Sequence, residues 1–248
     1  MKNGKLVFQA VWKEIAYTIS YDLAGGSLPT GKTNPTTFTI NSKPMDLVQP
    51  KREGYTFEGW SGTDINGKDT QVTVTARPLK DRTYTANWKE NSYTIVFNVE
   101  GEVTRGEMKN IPLRYTQETT IPKNGYVCGG YKFVGWRTGG KKSEQKVYQP
   151  GDKVSRLCAT NNGTVNLYPI WEPCEYTITF DYQTGNKREK VTCKYKETYT
   201  FPTVNRLGWT FEGWSRSAGS TNVISYAPNV KTAVFEDEKD LTLYAVYK

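Results

Sequence analysis

The sequence predicts a mostly β protein made of three small tandem modules strung in an elongated array. Three observations carry that expectation: a strand-forming composition, three short motifs that recur in fixed order, and weak helical periodicity. The chain has 248 residues, 36% of them hydrophobic, with 17 Tyr, 9 Phe and 7 Trp against only 3 Met. Tyr and Thr alternate with apolar residues in several stretches. β-branched and aromatic side chains pack well on a pleated, half-buried surface, so this mixture favours strands. The apolar share is enough for folded cores and argues against a wholly disordered chain.

The elements follow in chain order. An opening strand reads Tyr17-Thr18-Ile19-Ser20-Tyr21, then Tyr93-Thr94-Ile95-Val96-Phe97, then Tyr176-Thr177-Ile178-Thr179-Phe180. A central motif reads Gly54-Tyr55-Thr56-Phe57-Glu58-Gly59-Trp60, and returns as 130–136 and 208–214. A closing strand reads Tyr84-Thr85-Ala86-Asn87-Trp88, then Leu167-Tyr168-Pro169-Ile170-Trp171, then Leu243-Tyr244-Ala245-Val246-Tyr247. It occurs once more at 7–12, ending in Trp12. Four closing strands with three openings predict residues 1–14 as the end of a preceding repeat, or a leader. Repeats are then expected over 15–90, 91–173 and 174–248, as an excerpt of a longer array.

Each element alternates with a period of two. On that period Tyr55, Phe57 and Gly59 share one face, and Thr56, Glu58 and Trp60 the other. Turn signals such as Ala24-Gly25-Gly26 and Thr184-Gly185-Asn186 suit a mostly antiparallel sheet. The stretch from Ser215 to Asn229 is the expected helical or irregular piece. Pro169 argues for an edge strand or a bulge in the second repeat. A module of this size buries a small core dominated by large aromatics. Tyr55, Phe57, Phe133 and Phe211 are expected there, with Ile19, Ile95 and Ile178.

Charge and absences limit the function classes. The net charge of +8 divides over residues 1–90, 91–173 and 174–248 as +3, +4 and +1, too thinly for a nucleic-acid stripe. A diffuse positive field still attracts anionic glycans or wall polymers. There is no histidine, which removes Ser–His–Asp and Cys–His catalysis and the commonest metal ligand. No apolar run reaches the roughly 20 residues of a membrane helix. The first residues lack a signal-peptide core, so signals and anchors are expected outside this sequence.

The three motifs together resemble the Listeria–Bacteroides repeat, the internalin B-type B repeat. The resemblance covers essentially the whole chain. It implies a compact β-grasp-like module with α+β character, repeated within secreted or wall-attached extracellular proteins of bacteria. The second repeat departs from it at Val134, which replaces the motif's acidic residue, and at Pro169. The third has a shorter path from opening strand to central Trp.

Candidate chemistry is sparse. Glu58 and Glu212 recur in register but Val134 breaks the series, and no second acidic position accompanies them as a glycosidase requires. Glu236-Asp237-Glu238-Lys239-Asp240 lacks the spacing of a calcium loop, so no metal is expected. No glycine-rich phosphate motif is present, and no cofactor is expected. Asn162-Gly163-Thr164 reads as a turn. Cys128, Cys158, Cys174 and Cys193 fall two to each of the last two repeats, which suits disulfides Cys128–Cys158 and Cys174–Cys193, with buried free thiols as the alternative. Trp60, Trp136 and Trp214 are read as core, with a sugar-stacking platform as the alternative. Trp209, an extra aromatic where the other repeats have Tyr, is the candidate ligand residue together with Trp214. The expected function is therefore a non-enzymatic, monomeric spacer with adhesive contacts to a host surface protein. The alternative is a module binding a host glycan, glycosaminoglycan or other polyanion. Neither nucleic acid nor membrane insertion is expected.

Overall fold

The computed structural model describes residues 8–223, 231–234 and 236–248. Four principal strands build each repeat. The first holds β1 (Tyr17–Asp22), β2 (Thr37–Phe38), β3 (Tyr55–Gly62) and β4 (Arg82–Glu90). The second holds β5 (Ser92–Phe97), β6 (Ile111–Arg114), β7 (Tyr131–Thr138) and β8 (Gly163–Pro173). The third holds β9 (Glu175–Asp181), β10 (Arg188–Lys194), β11 (Phe211–Ser215) and β12 (Leu241–Tyr247).

The same sheet is made three times. Its strand order is β2-β1-β4-β3 in the first repeat and β10-β9-β12-β11 in the third. The second runs β6-β5-β8-β7, with the short strand Val147–Tyr148 added outside β7. Opening and closing strands lie side by side and parallel, with Ile19 opposite Arg82 and Ile178 opposite Leu241. Short ladders cover part of each sheet, such as Met45–Asp46 on Thr73–Val74. The protein is thus nearly all β. Among the described residues no α-helix forms, and Lys142–Glu144 is a single 3-10 turn. No helix among the described residues supplies the α part of the expectation; the described parts of the long connections include extended segments that bond to one another. Of the expected helical stretch, residues 216–223 carry no helix, and 224–229 lie outside the described residues.

The central motif does not keep its period of two. Phe57 pairs with Trp88 and Gly59 with Asn87, so Glu58 is an extra residue in β3. The same shift separates Phe133 from Gly135 and Phe211 from Gly213. A bulge reverses the alternation downstream of it. Phe57 and Trp60 consequently face the same core, edge to face at 5.6 Å, where strict alternation would have separated them. Phe133–Trp136 and Phe211–Trp214 repeat the pair at 5.1 and 5.4 Å. Gly59 adopts φ +121°, and a Cβ there would lie 2.8–2.9 Å from the backbone of Asp69. Trp60 exchanges two backbone hydrogen bonds with that same Asp69, at 2.7 and 2.9 Å.

The closing aromatic completes each core. It packs on the motif phenylalanine in all three repeats: Phe57–Trp88, Phe133–Trp171 and Phe211–Tyr247, with centroids 5.4–6.0 Å apart. Its polar tip donates to the chain just past the opening strand. Trp88 Nε1 reaches Leu23 O at 3.0 Å, Trp171 Nε1 reaches Glu100 O at 3.1 Å, and Tyr247 Oη reaches Tyr182 O at 2.9 Å. Tyr replaces Trp here without loss because both carry an apolar body and one terminal donor. Ile19, Ile95 and Ile178 are buried as expected, whereas Tyr55, Phe57, Phe133 and Phe211 are only partly covered. Pro169 stands opposite Trp136 in a strand flanked on both sides, so the edge position is corrected; the bulge lies nearby, in β7.

Residues 8–16 form no strand, and Phe8, Val11 and Trp12 are exposed. Val7, the first residue of the expected closing strand there, lies outside the described residues. By contacts the chain divides into two compact units, residues 1–95, 111–119 and 154–165, and residues 96–110, 120–153 and 166–248.

The bulge makes a direct prediction. Gly59→Ala combines a disfavoured φ with overlap on backbone atoms that cannot rotate away, and is expected to cost about 3 kcal/mol. Gly67→Ala, at φ +81° with open space around it among the described residues, is expected to cost only about 1 kcal/mol. Urea midpoints that moved equally in the two variants would refute the bulge as a packing constraint.

Candidate functional site

The sequence-nominated residues do not converge. Trp60, Trp136 and Trp214 are fully buried. Trp214 donates its Nε1–H to Pro202 O at 2.9 Å and packs on Phe180 at 4.7 Å. It therefore offers no face to a ligand, and its reading as a platform residue is corrected. Trp60 differs from its counterparts, since its Nε1 finds no acceptor among the described residues.

The carboxylates are engaged in structure. Lys68 sits 2.7 Å from Glu58 and holds its carboxyl below the usual range by hydrogen bond and charge. In the acidic cluster, Asp237 accepts both terminal nitrogens of Arg216 at 2.7 Å. Asp240 caps the opening strand by accepting from Thr177 N–H at 2.8 Å, as Asp81 does from Thr18. Among the described residues no three His, Cys, Asp or Glu side chains gather as a metal site.

All four cysteines are free thiols. The register shows why Cys174 and Cys193 do not bond. Cys193 stands opposite Tyr176, and Cys174 lies two residues before Tyr176, just ahead of β9. Diagonal neighbours of this kind are about 7–8 Å apart, beyond normal disulfide geometry. Cys128 and Cys193 are buried, and burial raises both thiol pKa values. No disulfide joins the four in this structure, and Cys158 and Cys174 are only half-buried, so the alternative of four buried thiols is not met in full either. Asn162, at φ +56°, occupies the expected turn.

What the structure does assemble is a clasp where one repeat follows another. Only Asn91 separates β4 from β5, and only Cys174 separates β8 from β9. Asn91 N–H donates to Gly54 O at 2.9 Å, and Tyr115 N–H donates to Asn91 O at 2.9 Å. At the second link Cys174 N–H donates to Gly130 O at 2.8 Å, and Tyr195 N–H to Cys174 O at 2.9 Å. The tyrosine ring then covers the glycine: a Cβ on Gly54 would fall 2.0 Å from the Tyr115 ring, and one on Gly130 would fall 2.3 Å from that of Tyr195. Each ring also meets the next motif residue edge-on, Tyr55 at 6.3 Å and Tyr131 at 5.3 Å. Burial raises both phenol pKa values, with Glu53 adding to the effect at Tyr115. Side chains reinforce each link. Thr116 donates to Glu90 from its backbone and hydroxyl at 2.7 and 2.5 Å, and Lys196 pairs with Glu102 at 2.5 Å. Sequence reading missed Tyr115 and Tyr195. The signal was present as the shared Tyr-x-Gln/Glu register, Tyr115-x-Gln117 and Tyr195-x-Glu197, before Ile121-Pro122 and Phe201-Pro202, but it lies in hairpins of different length.

Trp209, the remaining nominated residue, belongs to this device. It occupies the place of Tyr55 and Tyr131, is 52% exposed, and has Arg206 over its ring at 4.8 Å. Leu207 beside it is fully exposed.

Two measurements check these assignments. Trp214→Phe loses a hydrogen bond that Trp60→Phe does not, so it is expected to be costlier by about 1 kcal/mol; equal losses would contradict the assignment. The two Thr116 bonds hold the Glu90 carboxyl below its ordinary value of 4.5. Its contribution to stability is therefore present above that value and lost as pH falls through the folded pKa. Glu90→Gln is expected to flatten the acid side of the stability profile below about pH 4.5, and an unchanged slope would count against the bond.

Comparison with known proteins agrees with this repeat anatomy. The family model for the Listeria-Bacteroides repeat domain matches residues 17–88, 93–168 and 176–246. The chain is 25% identical over 243 residues to a protein of Evansella cellulosilytica designated "Putative membrane protein", covering 97% of this chain and 33% of that protein. It is 31% identical over 130 residues to Internalin H of Listeria monocytogenes, covering 51% of this chain and 22% of that protein. The chain thus spans a third or less of these relatives. Among the described residues no helix is long and apolar enough to cross a membrane. With three consecutive matches across nearly its whole length, the chain belongs to the Listeria–Bacteroides repeat family.

Proposed function

We propose that this chain is a tandem-repeat segment of an extracellular bacterial surface protein, secreted or wall-attached, and that it acts as a semi-rigid, non-catalytic spacer. The observation that carries the reading is the link between repeats. One residue joins consecutive sheets, and its N–H and C=O are both bonded, to Gly54 and Tyr115 at the first link and to Gly130 and Tyr195 at the second. A flexible tether would leave those groups to water and sample many conformations. The sheet order, a parallel central pair flanked by antiparallel strands, favours a β-grasp-like module in which extended segments replace the helix.

Adhesion to a host-surface protein or glycan is the finer part of the proposal. Its support is the likeness to Internalin H and the net charge of +8. Repetition of weak contacts along one chain multiplies their strength through avidity.

Small-angle scattering tests the spacer. The chain is expected to fit one narrow distance distribution, and Tyr115→Ala with Tyr195→Ala to broaden it. A broad distribution already present in the unaltered chain would refute stiffness. For adhesion, binding to host-cell surfaces at physiological salt is expected to persist; binding confined to low salt would mean nonspecific attraction to a basic surface.

A further inference from the structure

The clasp has two halves, and the described residues contain one unfilled example of each. The receiving half is the glycine and aromatic that open the central motif. Gly54 and Gly130 have φ +76° and +71°, and each lies under a tyrosine from the next repeat. Gly208 has φ +79°, so its backbone has the same form. Among the described residues, however, no atom beyond Gly208 and its two chain neighbours lies within 4 Å of the place its Cβ would take. Trp209 is half exposed beside it, and Leu207 fully so.

The inserting half is a tight turn after the opening hairpin. Arg114 N–H bonds Gln117 Oε1 at 3.2 Å while Gln117 N–H returns to Arg114 O at 3.1 Å, and Tyr115 stands between them. Lys194 and Glu197 make the same pair of bonds around Tyr195. Thr39 and Ser42 make it around Ile40 in the first repeat. Ile40 is exposed there, and so is Ile15, three residues after Trp12 as Asn91 is after Trp88 and Cys174 after Trp171. Trp12, Ile15, Tyr17, Ile40 and Leu79 line a shallow hollow of about 390 Å³.

We propose that the Leu207–Gly208–Trp209 face is a docking site for the tyrosine-bearing turn of one further repeat of this family, joined in cis after the closing strand. The tyrosine would lie over Gly208 with its edge against Trp209. The joining residue would donate its N–H to Gly208 O and accept from the tyrosine N–H. Internal precedent identifies the occupant, because both filled sites hold such a turn and share the backbone form of the open one. Trp209 enlarges the apolar wall relative to Tyr55 and Tyr131, and Arg206 lies over its ring. The inference stands on clasp geometry, and holds whether or not the array serves as a spacer.

The full chain can be extended in register to test it. A second copy of residues 173–248, carrying Trp209→Phe so that its peptide differs in mass from the original, is added directly after Lys248; this places Cys174 of the copy three residues after Tyr247, matching its distance from Trp171. The readout is oxidation of Trp209 by hydroxyl radicals, resolved by peptide mass spectrometry. Because a one-residue link gives a high effective concentration, oxidation is expected to slow at least about fivefold in the extended chain. Tyr195→Ala in the added copy is expected to restore the original rate and Tyr195→Phe to keep the protection. Slow oxidation of Trp214 in the added copy confirms that it folds. Trp209 oxidising equally fast in both chains would overturn the proposal, as would protection that survives Tyr195→Ala. Protection in the unextended chain that rises with its concentration would assign the face to a second copy instead, and equally overturn the cis site.

Discussion

Everything in each repeat hangs on one inserted residue in the central strand. Without the bulge at Glu58, Trp60 would stand on the opposite face from Phe57, and the largest side chain of the module would point away from the core. With it, Phe57 touches both Trp60 and Trp88, and the small sheet gains a continuous aromatic seam. The glycine after the extra residue is required twice over, by its φ and by the backbone of Asp69 pressed against it. A core this small has no surplus of apolar area, so misplacing one tryptophan would remove a large share of it.

The second constraint is the one-residue link. Because Asn91 and Cys174 spend both backbone groups on the preceding glycine and the following tyrosine, consecutive repeats are ordered by main-chain bonding, independent of what the linking side chain is. Asn91 adds its own side-chain bonds to Thr56 and Ala159, while at the second link the Lys196–Glu102 pair reinforces a different point. The backbone pattern is common to both links and the side-chain reinforcement is particular to each. Exposed ion pairs contribute little, so the ring over the glycine and the two backbone bonds carry the link.

Seen this way, the absence of histidine and the engagement of the recurring acidic residues fit together. Glu58 holds Lys68, Asp237 holds Arg216, and Asp240 caps the opening strand. These charges stabilise turns and strand starts. The aromatic residues within the repeats likewise serve packing first, and the exposed exception among the described ones, Trp209, lies at the position where the other two repeats receive a neighbour.

The sequence by itself determined the repeat count, the opening, central and closing strands, and the burial of Ile19, Ile95 and Ile178, because these depend on short local patterns of apolar and β-branched residues. Only the tertiary structure decided the rest. The bulge was hidden because alternation is a property of one strand, whereas its interruption is set by the partner strand's register. Tyr115 and Tyr195 were hidden because they lie 22 and 19 residues after their opening tyrosines, and a contact between repeats leaves no local period to read. Cys174 and Cys193 are apart for the same kind of reason: two cysteines bracketing one hairpin look bondable in sequence, and a register two residues out separates them.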